Sequence, residues 1–220
     1  AAAGLVIGGI TMTGLAGKFA HVVYGITDAQ MLPTLALTAV VTIVLGMGMP
    51  TPSAYILAAA LMTPILTKLG IPTMGAHMFV LYYAVMSALT PPVAVAAYAA
   101  SSIAEDNPLY IALLAVKFAL AAFIIPFAFI FGPELLMVGA ATSILFSLVT
   151  AIVGLIVIAS AVEGYFTEPL SFFTRIILAI GGLALVAPNI LAGGIGFILV
   201  TIVLGPPIYK IIYSKYINPS

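Results

Sequence analysis

Cysteine is absent from these 220 residues, which excludes disulfides, thiolate metal sites and cysteine nucleophiles. Charge is almost as scarce. Six basic and six acidic residues make up 5% of the chain, against roughly a quarter in an ordinary soluble domain, and they cancel to zero net charge. No basic tract is left to hold nucleic acid, and no acidic run marks a disordered tail. The two histidines, His21 and His77, lie far apart and give no metal-site spacing. There is no P-loop, H-E-x-x-H, C-x-x-C or G-x-S-x-G, so neither an ATP-driven motor nor an enzyme is expected, and no cofactor beyond an ion.

What fills the chain is apolar: 64% of the residues are hydrophobic, as a membrane-embedded, all-α protein requires. The opening AAAGLVIGGI has neither initiator methionine nor basic leader and reads as entering a membrane helix partway through, so the chain is expected to be part of a longer protein.

A membrane span takes about 20 apolar residues. Residues 2–24 supply one, interrupted by Thr11, Thr13, Gly14 and Gly17, with Lys18, His21 and Tyr24 spaced to share a face. Those three either snorkel or hydrogen-bond to a neighbouring helix, or serve a substrate or proton directly. The next two segments, 31–45 and 53–69, are short for full spans, and LGMGMPTPSAY joins them. Gly46, Gly48, Pro50 and Pro52 forbid a regular helix there. Two short helices meeting at such a tip predict a re-entrant hairpin; the alternative is a kinked pair of ordinary spans.

A second break follows at Thr90, Pro91 and Pro92, after which VAVAAYAASSIA resumes. Neither proline donates a backbone bond, so upstream carbonyls are expected to lack partners. With the hydroxyls of Ser87 and Thr90 they would offer oxygens to a small hard cation, while the N-terminus of the following half-helix would favour an anion. The paired interruptions point to a binding site.

The series GMGMPTPSAYILAAALMTPI, GIPTMGAHMF and SALTPPVAVAAYAASSIA, preceded by GGITMTGLAGKF, resembles the large membrane subunit of tripartite ATP-independent periplasmic (TRAP) transporters. It is most similar to the fused permeases, in which small and large membrane subunits are one polypeptide. The resemblance spans residues 4–133. It implies an elevator-type transport repeat with a re-entrant hairpin and a broken helix: residues 1–133 as the second inverted repeat, tip at 46–53 and break at 88–93. Residues 134–220 would add C-terminal transmembrane helices with no chemistry assigned.

The same resemblance implies secondary uptake of a small organic acid, most simply a carboxylate, across the inner (cytoplasmic) membrane of a prokaryote. An ion gradient would drive it and a periplasmic or extracellular binding protein would feed it. The first repeat and the small-subunit region would be further partners, with lipid around them. Substrate and ion would be held at Gly46, Gly48, Thr51, Ser53, Ser87, Thr90, Pro91, Pro92 and Val93, with a sodium site at Gly46, Gly48, Thr90 and Pro91. Large subunits often carry an acidic residue near the tip, whereas this chain has Met49 and Pro50. No carboxylate lies in either break, which leans toward sodium; a proton would need His77, which otherwise reads as a hydrogen-bonded helix residue. A symporter without a binding protein, or a membrane scaffold whose breaks are mere kinks, are the competing readings.

Farther along, Glu105 and Asp106 are expected to end a helix at water. Lys117 is expected near the middle of a span over 109–131, kinked at Pro126. Three apolar stretches follow, 136–162, 175–186 and 190–212. Gly181, Gly182, Gly193, Gly194 and Gly196 are expected to let helices pack closely. Lys210 and Lys215 favour a cytoplasmic C-terminus.

Overall fold

The computed structural model describes residues 2–212, and among these the structure is α-helical with short 3₁₀ turns. An isolated bridge between Tyr165 and Pro169 stands where a strand could have formed. Two compact units make up the chain, Ala1–Lys117 and Phe118–Ser220, divided in the last turn of a helix. This is a division of packing; the boundary at 133/134 is one of motifs.

In the first unit, α1 (Ala2–Met12) and α2 (Leu15–Thr27) turn by 67° where the sequence reads one segment. Gly14 adopts a left-handed φ of 62° and the Thr13 hydroxyl donates to the Gly9 carbonyl at 2.6 Å, which ends α1. Of the three polar groups on α2, Lys18 and His21 are exposed, whereas the Tyr24 hydroxyl donates to the Ile65 carbonyl at 2.7 Å. Tyr24 therefore ties two helices together.

The hairpin forms as the glycine and proline pattern requires. Helix α3 (Met31–Gly46) and α4 (Thr51–Lys68) are joined by residues 47–50. Pro50 caps α4 and Pro52 lies in its first turn, where a missing amide costs no helical bond. At 1.5 Å per residue the arms rise about 24 and 27 Å, short of a hydrocarbon core of ~30 Å. Helices α3, α4 and α5 (Thr73–Met86) contact one another, and Leu35 and Ala39 of α3, Ala58 and Met62 of α4, and Phe79 and Val80 of α5 are all buried. Dispersion between close-packed side chains holds such a core, because lipid removes the hydrophobic drive between helices.

Helix α6 (Val95–Ala104) resumes after the second break, and Glu105 ends it with a left-handed φ of 52°, exposed as expected. Asn107 then accepts from the Leu109 amide at 2.9 Å and starts α7 (Pro108–Ala119). Lys117 stands in the last turn of α7, where a cation complements the helix dipole, and ahead of the interruption that divides the expected span. The α-helix is interrupted over 120–124, just before Pro126, which occupies the first turn of α8 (Ile125–Phe131), so the span breaks where the proline kink is expected.

The second unit adds α9 (Ala141–Glu163), α10 (Phe172–Val186) and α11 (Ile190–Ile212). Leu145, Val149, Ile152 and Ile156 form an exposed apolar stripe on α9, a face suited to lipid. Among the described residues α9 alone is long and apolar enough to cross a membrane, with up to three spans if each of two interrupted pairs counts as one.

Three of the five glycines pack as expected: a Cβ at Gly182 would lie 2.9 Å from the Gly154 carbonyl, and one at Gly196 2.6 Å from that of Gly181. Gly193 and Gly194 face open space. Arg175 closes the C-terminus of α9, its Nε donating to the Ala161 carbonyl at 2.8 Å and its Nη2 to that of Val162 at 2.9 Å. Lys215 and the side chains of Lys210 and Thr11 lie outside the described residues.

Candidate functional site

The two breaks meet. Gly46, the last residue of α3, is buried against Ser87 at the end of α5, so closely that a Cβ on Gly46 would stand 2.8 Å from the Ser87 Cβ and 3.3 Å from that of Ala54. Two residues on, Gly48 takes a left-handed φ of 76°, and a Cβ there would lie 3.5 Å from Val93 Cγ1. Glycine is needed at 46 for close approach and at 48 for backbone shape. The hairpin tip is thus seated on the interrupted stretch between α5 and α6.

The prolines do not leave the expected carbonyls open. In a regular helix, Pro91 and Pro92 would fail to donate to the carbonyls of Ser87 and Ala88. Here the Thr90 amide takes the Ser87 carbonyl at 3.4 Å and the Ala96 amide takes that of Ala88 at 3.0 Å. The Ala94 amide bonds to the Thr90 carbonyl at 3.2 Å. What stays open among the described residues is the next set: the carbonyls of Leu89, Pro91, Pro92 and Val93. The Pro91–Pro92 peptide is cis.

The hydroxyls are polarised the same way. Ser87 Oγ donates to the Ala84 carbonyl at 2.7 Å, and Thr90 Oγ1 donates to the Met86 carbonyl at 2.8 Å. With their protons committed, both oxygens can only accept. The break therefore presents oxygen lone pairs, which suit a cation. Among the described residues no three His, Asp or Glu side chains converge on a metal-sized space, so a cation at the break would meet neutral oxygens.

The hairpin side is complementary. Pro50 gives α4 no side-chain cap, and the Thr51 and Ser53 amides and hydroxyls bond to nothing among the described residues. Free amides at the positive end of a helix favour an anion. The start of α6 is a poorer anion site than the sequence suggests, because its Ala96 and Ala97 amides are spent on the Ala88 and Ala94 carbonyls. The structure thus brings Gly46 to Ser87 and Gly48 to Val93, with Thr90, Pro91 and Pro92 in the same turn. Thr51 and Ser53 stand at the head of α4, half-buried.

His77 stands ten residues before Ser87 on α5, about 15 Å along a helix. Its Nδ1 pairs with the Tyr55 hydroxyl at 2.8 Å, a bond between α4 and α5.

Sequence reasoning missed one feature. Thr34, Thr38 and Thr42 recur every fourth residue on α3, and the next position in that series is Gly46. All three threonines are fully buried. Thr34 pairs with Thr27 at 2.8 Å, while Thr38 Oγ1 and Thr42 Oγ1 have no partner among the described residues. The signal was legible as hydroxyls at helical spacing on an otherwise apolar arm.

The family model described as the DctM component of the tripartite ATP-independent periplasmic transporter matches residues 1–144. No curated protein and no solved structure matches the chain.

Proposed function

Since the chain belongs to the DctM family of tripartite ATP-independent periplasmic transporter components, and so to an integral membrane solute transporter, we propose that it carries the ion- and substrate-holding half of a permease for small organic acids. The observation that carries this reading is the seating of the tip at Gly46 and Gly48 on Ser87 and Val93. In the proposal, a sodium ion takes the open carbonyls of the break with the Ser87 and Thr90 oxygens, and a substrate carboxylate takes the Thr51 and Ser53 amides. Thr42 and Thr38 extend the oxygen-lined face one and two turns down the hairpin arm. The two elements travel together as an elevator against a scaffold. A periplasmic binding protein delivers the acid, and a first repeat and small-subunit region complete the permease in the inner membrane of a prokaryote.

Uptake by the complete permease in liposomes tests this, with binding protein loaded with candidate organic acids and an imposed sodium or proton gradient. Uptake that needs both the binding protein and the sodium gradient supports it. Uptake without the binding protein shows a plain symporter, and none under either gradient shows a scaffold. If protons drive uptake, His77 is the group to carry them.

Tyr55→Phe separates the two roles of His77. The substitution is expected to cost about 0.5–1.5 kcal/mol of stability, the net worth of one hydrogen bond, and to leave the pH profile of uptake unchanged. A displaced profile in Tyr55→Phe, together with a lost one in His77→Ala, would assign His77 to proton coupling.

A further inference from the structure

The second unit contains a cavity of about 470 Å³ that the transport reading does not use. It lies against the first turns of α9 and the connection between α10 and α11. Thr142, Ser143, Ser147, Thr150, Asn189 and Glu134 supply its polar wall, and Phe146, Leu185 and Pro188 its apolar one. Its volume falls within the ~300–1,000 Å³ of small-molecule sites, and a few convergent polar groups on an apolar wall are what such sites share.

The charge of the lining selects the occupant. Glu134 is half-buried, and among the described residues its carboxylate meets no hydrogen-bond donor or cation. The lining holds no Lys, Arg or His. The uncapped start of α9 offers a bound group only about half a positive charge, less than the full negative charge of Glu134, so an anion desolvated beside this carboxylate is disfavoured whereas a cation would supply the missing partner. The hydroxyls of Thr142, Ser143 and Ser147 make no hydrogen bond among the described residues. Thr150 has already spent its proton on the Phe146 carbonyl, and Asn189 has spent its oxygen on the Leu191 amide. A bare metal ion would leave most of a cavity this large unfilled; a small organic cation uses both walls. Phe146 adds an aromatic face, which attracts an ammonium group.

We propose that this cavity binds a small organic ammonium compound, its charged nitrogen on Glu134 and its polar substituents on the Thr142, Ser143 and Ser147 hydroxyls. Two sources carry that chemistry: a free amine such as ethanolamine or choline, and the headgroup of an ethanolamine phospholipid.

The purified full chain is titrated calorimetrically in uncharged detergent with ethanolammonium and choline chlorides. In parallel, native mass spectrometry counts phosphatidylethanolamine retained from nanodiscs of mixed phosphatidylethanolamine and phosphatidylglycerol. Binding in the first arm identifies a free amine, and retention in the second a lipid headgroup. In either case Glu134→Gln is expected to weaken binding at least tenfold. Ser147→Phe, which fills the cavity and keeps the charge, is expected to abolish it, so a folding defect in one variant leaves the other to decide. Glu105→Gln, at an exposed carboxylate in the first unit, should bind as the unaltered chain does. Undiminished binding in Glu134→Gln, equal binding of acetate, or no binding in either arm would overturn the proposal.

Discussion

Gly46→Ala is expected to cut gradient-driven uptake by about 100-fold while the protein still inserts and survives purification. The added methyl would stand 2.8 Å from the Ser87 Cβ and 3.3 Å from that of Ala54, distances that real Cβ atoms do not tolerate or tolerate only with movement. Ser87 is 1% exposed and its hydroxyl is bonded back to the Ala84 carbonyl, so the tip must lift rather than the serine turn away. Overpacking of this kind costs about 1–3 kcal/mol, and at ~1.4 kcal/mol per factor of ten the upper end is the hundredfold expected.

A second substitution tells sterics from chemistry. Ser87→Gly on the Gly46→Ala background removes the obstructing Cβ, and is expected to restore the stability lost to the clash. Full recovery of uptake would show that only the close approach matters. Recovered stability with a raised sodium requirement would show that the Ser87 oxygen is an ion ligand. Gly48→Ala is expected to be milder, since its Cβ would meet Val93 at an ordinary 3.5 Å and the cost is confined to a left-handed φ, about 1–2 kcal/mol.

The hairpin and the second break were legible because glycine and proline act locally. Gly46 to Pro52 and the Thr90-Pro-Pro stretch announce interrupted helices whatever surrounds them. That the two interruptions touch was not legible from periodicity, since Gly46 and Ser87 are far apart in sequence and only packing joins them. The motif resemblance supplied that expectation. Local rules also misjudged where the proline-orphaned carbonyls go: the donors that recover them, Thr90 and Ala96, come from a turn whose path no residue type dictates.

The same limit explains Arg175. In sequence it only opens the apolar stretch 175–186, yet its guanidinium reaches back 13 and 14 residues to finish α9. Tyr24 likewise looked like one of three polar tips on α2, and only the position of α4 gives its hydroxyl the Ile65 carbonyl. Thr38 and Thr42 are a different omission, because their spacing was in plain view. Threonine is tolerated in membrane helices when it bonds its own backbone, and that habit hides a buried row.

Gly182→Val is expected to be the most damaging change in the second unit, lowering the midpoint of thermal unfolding by about 6–12 °C. That range is ~3 kcal/mol of overpacking converted at 2–4 °C per kcal/mol for a chain of this size. A Cβ at 182 would meet the Gly154 carbonyl at 2.9 Å, the Ile158 Cγ1 at 2.6 Å and the Ile158 amide nitrogen at 3.2 Å. Two of those three atoms are backbone and cannot turn aside. The contact is reciprocal, since a Cβ at Gly154 would stand 2.8 Å from the Gly182 carbonyl, so α9 and α10 approach at the distance their main chains allow. Valine would force the helices apart and open the cluster of Ala128, Ile158 and Val186 with them. Gly194→Ala is the matched comparison: the position is exposed, its Cβ meets nothing within 4 Å, and alanine in a helix should gain about 0.5–1 kcal/mol over glycine. Thermal unfolding of the two variants in one detergent, read by helical circular dichroism, should move in opposite directions. Equal midpoints would mean that side chains, not the paired glycine backbones, set the spacing of these helices.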